Sequence, residues 1–293
     1  MKKKLNISFS GGRTSAYMTK MLLDRFSHKY EFLITFANTG KEHAATLDFV
    51  RDCDRFFGFK TVWLEAVVSR EKGIGTTHKI VTYETASRNA QPYIDVTEKY
   101  GVSNVTWQPC TREMKAATMK SYRKSVGFGK SPYAIGIRID EPRRVKPGVV
   151  KEGVVYPLVD WFPTTKQQII SWWRNQKFDL GRELFPPYGL PEHLGNCTTC
   201  FKKTFRKHSL VWRDCPNEFD FNMDMEARFG MVGPEPDEVK PRKTFRGNIS
   251  AQEYVLMLQE NRKTDEMMFY EAESECGESC ELFPTEAVNH NHT

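Results

Sequence analysis

The feature that most constrains this chain stands near its start. A short β-prone run, Leu5 to Phe9, stops at Ser10-Gly11-Gly12 and gives way to apolar residues at helical spacing, Ala16, Tyr17, Met21, Leu22 and Phe26. The alternation then repeats. Glu31 to Ala37 reads as a second strand, His43 to Phe57 as a helix with Leu47, Phe49, Val50 and Phe56 as core positions, and Lys60 to Val67 as a third strand. Strands and helices alternating at these intervals build βαβ units on a parallel sheet. Parallel crossovers are almost always right-handed, so the expected fold is α/β with a doubly wound parallel sheet.

Downstream the pattern loosens. Residues 68 to 105 are rich in Thr, Ser, Asn and Gly and are expected to form a lid or substrate loop. Thr111 to Ser125 reads as a helix, Tyr133 to Ile137 as a fourth strand, Gly148 to Leu158 as a short strand pair and Thr165 to Asn175 as a helix. Pro186-Pro187-Tyr188-Gly189-Leu190-Pro191 is a break, Pro234 to Pro241 a Pro/Glu/Asp linker and Ala251 to Arg262 a late helix. Three regions follow: 1–180 with the sheet, 181–263 smaller, mostly helical and cysteine-bearing, and an acidic tail, 264–293.

The formal charge of +6 is unevenly placed. The last thirty residues hold eight acidic side chains and no Lys or Arg, which leaves residues 1–263 at a formal +14. A basic body suits an anionic partner such as a nucleotide, tRNA or DNA; the plainer reading is ordinary solubility charge. No run approaches the roughly 18–20 apolar residues of a membrane span, and Met1-Lys2-Lys3-Lys4 leads into no apolar signal region. The expectation is a cytoplasmic chain with no membrane partner. Its seven cysteines are then expected to serve as metal ligands or reactive thiols rather than a disulfide framework.

Ser10-Gly11-Gly12-Arg13-Thr14-Ser15 lies between strand and helix, and that context carries the functional reading. Glycines let backbone approach an anion, successive N–H groups form a concave anion site, and the helix aims its free N–H groups at the same point. A well-capped structural turn is the plain alternative. Two further strand ends are polar and glycine-bearing: Asn38-Thr39-Gly40 after the second, and Gly136-Ile137-Arg138 through Arg143-Arg144 after the fourth. In open parallel sheets ligands bind beyond these ends. Arg138, Arg143 and Arg144 are candidates to clamp phosphate or sulfate oxygens, or else to pair with Asp140 and Glu141.

Cys197 and Cys200 have the two-residue gap of a metal or cluster ligand pair; Cys110 and Cys215 complete a set of four. Such a set suits an iron–sulfur cluster of the 4Fe–4S type or a structural zinc, with His208 as an alternative zinc ligand. Lys202, Lys203, Arg206, Lys207 and Arg112 would help to stabilise thiolates. Cys110 and Cys215 as merely buried thiols is the plain alternative, and Cys53 reads as core. The stretch Phe201 to Trp212 could meet a nucleic acid or simply pack as an amphipathic helix.

The Ser-Gly-Gly-x-x-Ser loop at 10–15, Phe36-Ala37-Asn38-Thr39-Gly40, Gly136-Ile137-Arg138-Ile139-Asp140-Glu141-Pro142-Arg143-Arg144 and Tyr156-Pro157-Leu158-Val159-Asp160-Trp161 together resemble the PP-loop, or adenine-nucleotide α-hydrolase, superfamily. The resemblance is to its phosphoadenosine-phosphosulfate reductase branch and spans roughly residues 4 to 215. It implies a HUP-type sheet in 1–180 that binds an adenine nucleotide, either ATP with Mg²⁺ or a sulfated adenosine. It also favours iron–sulfur over zinc at Cys110, Cys197, Cys200 and Cys215. The chain is similar, too, to the sulfur-transfer enzyme of DNA phosphorothioation.

Glu275-Cys276-Gly277 is similar to the mobile tail of sulfonucleotide reductases, in which the cysteine attacks sulfur; the histidine expected soon after is absent, and the acidic surroundings oppose a thiolate. Three functions are therefore expected in competition. The first is an ATP pyrophosphatase that adenylates an acceptor, such as tRNA or DNA, for sulfur transfer from a donor. The second is a sulfonucleotide reductase using Cys276 and a thiol reductant. The third is a nucleotide-binding module without turnover.

Overall fold

The protein is described by a computed structural model that covers residues 1–146, 153–232, 245–246 and 249–261. Strand β1 (Lys3–Ser8) alternates its side chains between two faces of a sheet. Leu5 and Ile7 enter one apolar cluster with Ile34, Phe36 and Trp63. Asn6 and Ser8 face the opposite way, where Ser8 and Thr35 hydroxyls meet the Met119 sulfur. The chain continues through α1 (Arg13–Phe26), β2 (Tyr30–Ala37), α2 (Ala44–Phe57) and β3 (Val62–Val67), with β2 parallel to both β1 and β3. The first five elements lie within a few residues of their expected bounds. His43 opens α2 by accepting the Ala45 N–H on Nδ1 at 3.1 Å.

Residues 68–105 depart from the expected open loop. They contain β4 (Thr77–Val81), antiparallel to β3, and α3 (Gln91–Tyr100). β4 lacks a readable alternation because it is an edge strand that leaves Ile80 61% exposed. Its register is held by a charge pair, Lys79 Nζ to the buried Glu65 carboxylate at 2.9 Å. The expected helix after Cys110 is a π-helix (Cys110–Ala117) that continues as α4 (Thr118–Ser125). The fourth strand, β5 (Tyr133–Ala134), pairs in parallel with β1 and with β6 (Val154–Val155), then leaves the sheet. The proposed strand pair from Gly148 falls partly on 147–152, outside the described residues.

Among the described residues six strands form one sheet in the order β4-β3-β2-β1-β5-β6, parallel except for β4. α5 (Lys166–Arg174) packs beside α1, and its Trp173 indole donates to the Arg13 carbonyl at 3.1 Å. α6 (Phe205–Asp214), α7 (Asp220–Phe229) and α8 (Ala251–Gln259) follow. One apolar cluster runs from Leu5 through Trp173 to Tyr254 and Leu258. Phe201, Phe205 and Val211 are buried in it, so the Phe201–Trp212 stretch packs inward rather than presenting an aromatic face. No described helix is long and apolar enough to cross a membrane.

Asn6 is fully buried in the central strand, and neither its Nδ2 nor its Oδ1 meets a hydrogen-bond partner. An unpaired buried amide costs about 1–3 kcal/mol. Asn6→Leu is therefore expected to raise the urea-unfolding free energy by about 1 kcal/mol. A fall in stability would show that the amide is satisfied by water in the folded protein.

Glu226 on α7 ties the last helix down: it accepts the Ala251 N–H at 2.6 Å and the Phe245 N–H. Burial, reinforced by the Glu253 charge, pushes its carboxyl from 4.5 up to about 7, against the pull of these two N–H groups. The folded state thus keeps a proton that the unfolded chain has already released. Stability is expected to fall as pH rises from about 4.5 to about 7 and to level beyond that. Comparing thermal unfolding across that window with Glu226→Gln tests this; the variant should lose the slope, and an unchanged slope would place its origin elsewhere.

Candidate functional site

Strand order reverses at β1: the chain proceeds to β2, β3 and β4 on one side and to β5 and β6 on the other. Such a switch point leaves a crevice beyond the strand ends. Three of the expected segments meet there. The loop after β1 is organised by Ser15, whose hydroxyl accepts the Ser10 N–H at 3.2 Å, lies 2.9 Å from the Ser10 hydroxyl and donates to the Gly12 carbonyl at 3.0 Å. Gly11 has φ +75°, and a Cβ there would sit 2.7 Å from the Thr46 methyl, so only glycine fits. Gly12 is the N-cap of α1 and makes no side-chain cap hydrogen bond.

The end of β5 docks on this loop. A Cβ at Gly136 would lie 3.2 Å from Ser15 Cα, so the two backbones meet in a close approach that a side chain would obstruct. Arg138 then reaches back, its Nη1 donating to the Thr14 hydroxyl at 3.2 Å. Arg138 is buried and also pairs with Asp140 at 2.9 Å and Glu141 at 3.4 Å. Arg144, also buried, pairs with Glu141 at 2.6 Å, whereas Arg143 is exposed. Arg138 and Arg144 are therefore held by carboxylates, and Arg138 also reaches the loop.

Two other candidates serve the scaffold. Arg13 turns away to Asp179 at 2.7 Å and to the Leu180 and Tyr188 carbonyls, fastening the 179–189 segment to the loop. Asn38 is buried, its amide donating to Glu65 at 2.7 Å and the Ser87 carbonyl at 2.9 Å while its oxygen accepts the Gly40 N–H at 3.2 Å. Thr39 is fastened by Glu42, which accepts its N–H at 3.0 Å and its hydroxyl at 2.8 Å.

A pocket opens between these strand ends, lined by Ser8, Ser10, Ala37, Glu42, Lys115 and Asn196 among others. On the other side of the loop a second pocket is lined by Gly11, Gly12, Asn196, Lys203 and Lys207. A third brings together Cys110, Cys197 and Cys200 with Thr39, Tyr93 and Lys115. Burial pushes the Tyr93 hydroxyl well above the ordinary tyrosine range, and the surrounding Cys110, Cys197 and Cys200 push it further.

The expected fourth cysteine, Cys215, follows α6 and is not among the residues lining that pocket. Burial, then Glu218 and Asp214, push its thiol up, which disfavours the thiolate. His208 is no spare ligand: its Nδ1 is 2.8 Å from the Tyr254 hydroxyl and its Nε2 is 3.0 Å from the Cys200 carbonyl. Burial first, and then Arg246 and Lys203, hold its pKa well below the usual value, so it is a neutral brace beneath the cysteine turn. Among the described residues no three His, Cys, Asp or Glu side chains form a group able to hold a metal ion. Cys110, Cys197 and Cys200 line one pocket without forming such a group, and the expected four-ligand set is not assembled among the described residues. Cys276 lies outside the described residues.

Lys115, Asn196 and Glu42 were not singled out from the sequence. Lys115 carried no signal in the sequence: only the π-helix, whose hydrogen bonds run i→i+5, returns it to the face of Cys110. Asn196 had only its adjacency to Cys197.

No family model matches the chain, and no solved structure matches it. Among curated proteins it is 31% identical over 291 residues to the "Uncharacterized nin region protein ORF290" of Escherichia phage lambda, a match that covers 94% of each chain. With that identity carried over nearly the whole length of both, this chain belongs to the family of the phage lambda nin region protein ORF290.

Proposed function

We propose that the sheet is of the HUP/PP-loop type and that the chain is an adenine-nucleotide-binding enzyme, an ATP pyrophosphatase that adenylates an acceptor for sulfur transfer. The observation that carries this reading is the docking of β5 on the phosphate-type loop: Gly136 packs against Ser15, and Arg138 reaches Thr14 at 3.2 Å. A plain strand-to-helix turn has no need of a buried arginine delivered from a second strand end.

In the proposed reaction an acceptor oxygen attacks the α-phosphorus of ATP, the bond from that phosphorus to the bridging oxygen breaks, and pyrophosphate leaves. Mg²⁺, when bound, neutralises charge on the phosphate oxygens. The loop N–H groups between Gly11 and Ser15 orient the phosphates, Arg138 offsets negative charge in the transition state, and Lys115 stands at the wall shared with the thiol pocket. Burial of these groups strengthens their electrostatics. A nucleic acid is the proposed acceptor, in keeping with the formal +14 of residues 1–263. Cys110, Cys197 and Cys200 would hold an iron–sulfur cluster or zinc.

A second reading, reduction of a sulfonucleotide in the same pocket, rests on Glu275-Cys276-Gly277 in the sequence. Anaerobic purification with iron, sulfide and zinc assays, followed by incubation with ATP–Mg²⁺ and candidate nucleic acids, separates the two. Pyrophosphate release that rises with an acceptor supports the first. ATP left intact, with sulfite formed from a sulfated adenosine and a thiol, selects the second.

A further inference from the structure

We propose that the nucleotide pocket and the thiol pocket are energetically linked through Asn196–Cys197, so that a nucleotide in the first shields Cys197 and a modified Cys197 weakens the nucleotide. This inference rests on the nucleotide reading above. Asn196 lines the pockets on both sides of the phosphate-type loop, and its peptide continues directly into Cys197. It holds a left-handed φ of +56°, which asparagine adopts more readily than other non-glycine residues.

Cys197 is fastened to the end of β2 from the other side. It forms a backbone bridge with Glu42, and its sulfur lies 3.6 Å from the Thr39 hydroxyl. Glu42 in turn holds Thr39 by two hydrogen bonds and itself lines the nucleotide pocket. The wall that a nucleotide touches, Glu42 and Asn196, is therefore also the mounting of Cys197. Displacing either residue moves the thiol, and a bulky group on the thiol strains the wall. Sites that share a wall in this way are coupled in both directions, commonly by about 5- to 150-fold in affinity.

The test uses the full chain, with ATP–Mg²⁺ as the nucleotide and iodoacetamide as the thiol probe. Alkylation is followed peptide by peptide, and the Kd for ATP–Mg²⁺ is measured independently by equilibrium dialysis. Saturating ATP–Mg²⁺ is expected to slow alkylation of Cys197 by ~5-fold or more and to leave Cys215, outside the pocket, unchanged. Protein already alkylated at Cys197 is expected to bind ATP–Mg²⁺ ~5-fold or more weakly. Asn196→Gly, which keeps the left-handed backbone without the side chain, is expected to weaken both effects, since the Glu42–Cys197 bridge remains. ATP–Mg²⁺ that binds while Cys197 alkylates at the same rate overturns the linkage and spares the nucleotide reading. Failure of every form to bind ATP–Mg²⁺ overturns the nucleotide reading, and the linkage falls with it.

Discussion

Replacing Asp179 with alanine is expected to lower the unfolding free energy by about 3–5 kcal/mol. Arg13 and Asp179 meet at 2.7 Å with side chains only 12% and 8% exposed, so this is a buried pair rather than a surface one. Removing one partner of such a pair leaves the other charge desolvated and uncompensated. Asp179 also accepts the Leu180 N–H at 2.7 Å and lies 3.5 Å from Arg182, so alanine loosens the whole 179–189 segment against the loop. Denaturant unfolding measures the loss. Asp179→Asn, which keeps an acceptor, should fall between the parent and the alanine variant. A loss below ~1 kcal/mol, the range of exposed ion pairs, would show that Arg13 rehydrates and that the segment is anchored by other contacts.

The second large effect is on binding. Arg138→Met is expected to weaken ATP–Mg²⁺ about 10- to 100-fold, because hydrogen bonds to charged groups contribute about 1.5–3 kcal/mol and 1.4 kcal/mol is tenfold in affinity. Arg138→Lys should recover part of the loss, since it keeps the charge but not the planar fork that reaches Thr14 and the two carboxylates together. Equilibrium dialysis reads the affinity, and thermal unfolding of the same samples separates binding from folding. Unchanged affinity in a folded Arg138→Met variant would confine Arg138 to bracing Asp140 and Glu141, and the phosphate role would pass to the loop backbone.

The first half of the sheet was legible because its signals are local. β1, β2 and β3 carry short β-prone runs, α1 and α2 carry apolar residues at helical spacing, and Gly11 stands at the one turn where its φ of +75° is needed. The late helix was legible too: Ser250 and Glu253 form a capping box at its start. β4 was not, since an edge strand held by Glu65 and Lys79 shows neither alternation nor a continuous apolar run. Nor was the π-helix, whose i→i+5 hydrogen bonds leave no distinctive period in the sequence.

For the candidate site, the sequence alone determined which segments could matter: the glycine loop at 10–15, the strand ends at 38–40 and 136–144, and the Cys197–Cys200 turn. Tertiary structure decided what each side chain does. It turned Arg13 and Asn38 into scaffold, brought Arg138 to Thr14, and joined Cys110 to Cys197 and Cys200 around one pocket. It also placed Cys215 off that pocket's lining and set His208 as a neutral brace. The division has a physical cause. Turn geometry and periodicity are properties of neighbouring residues, whereas the partner of a buried charge or thiol is chosen by packing between segments far apart in the chain, where desolvation makes each unpaired group costly.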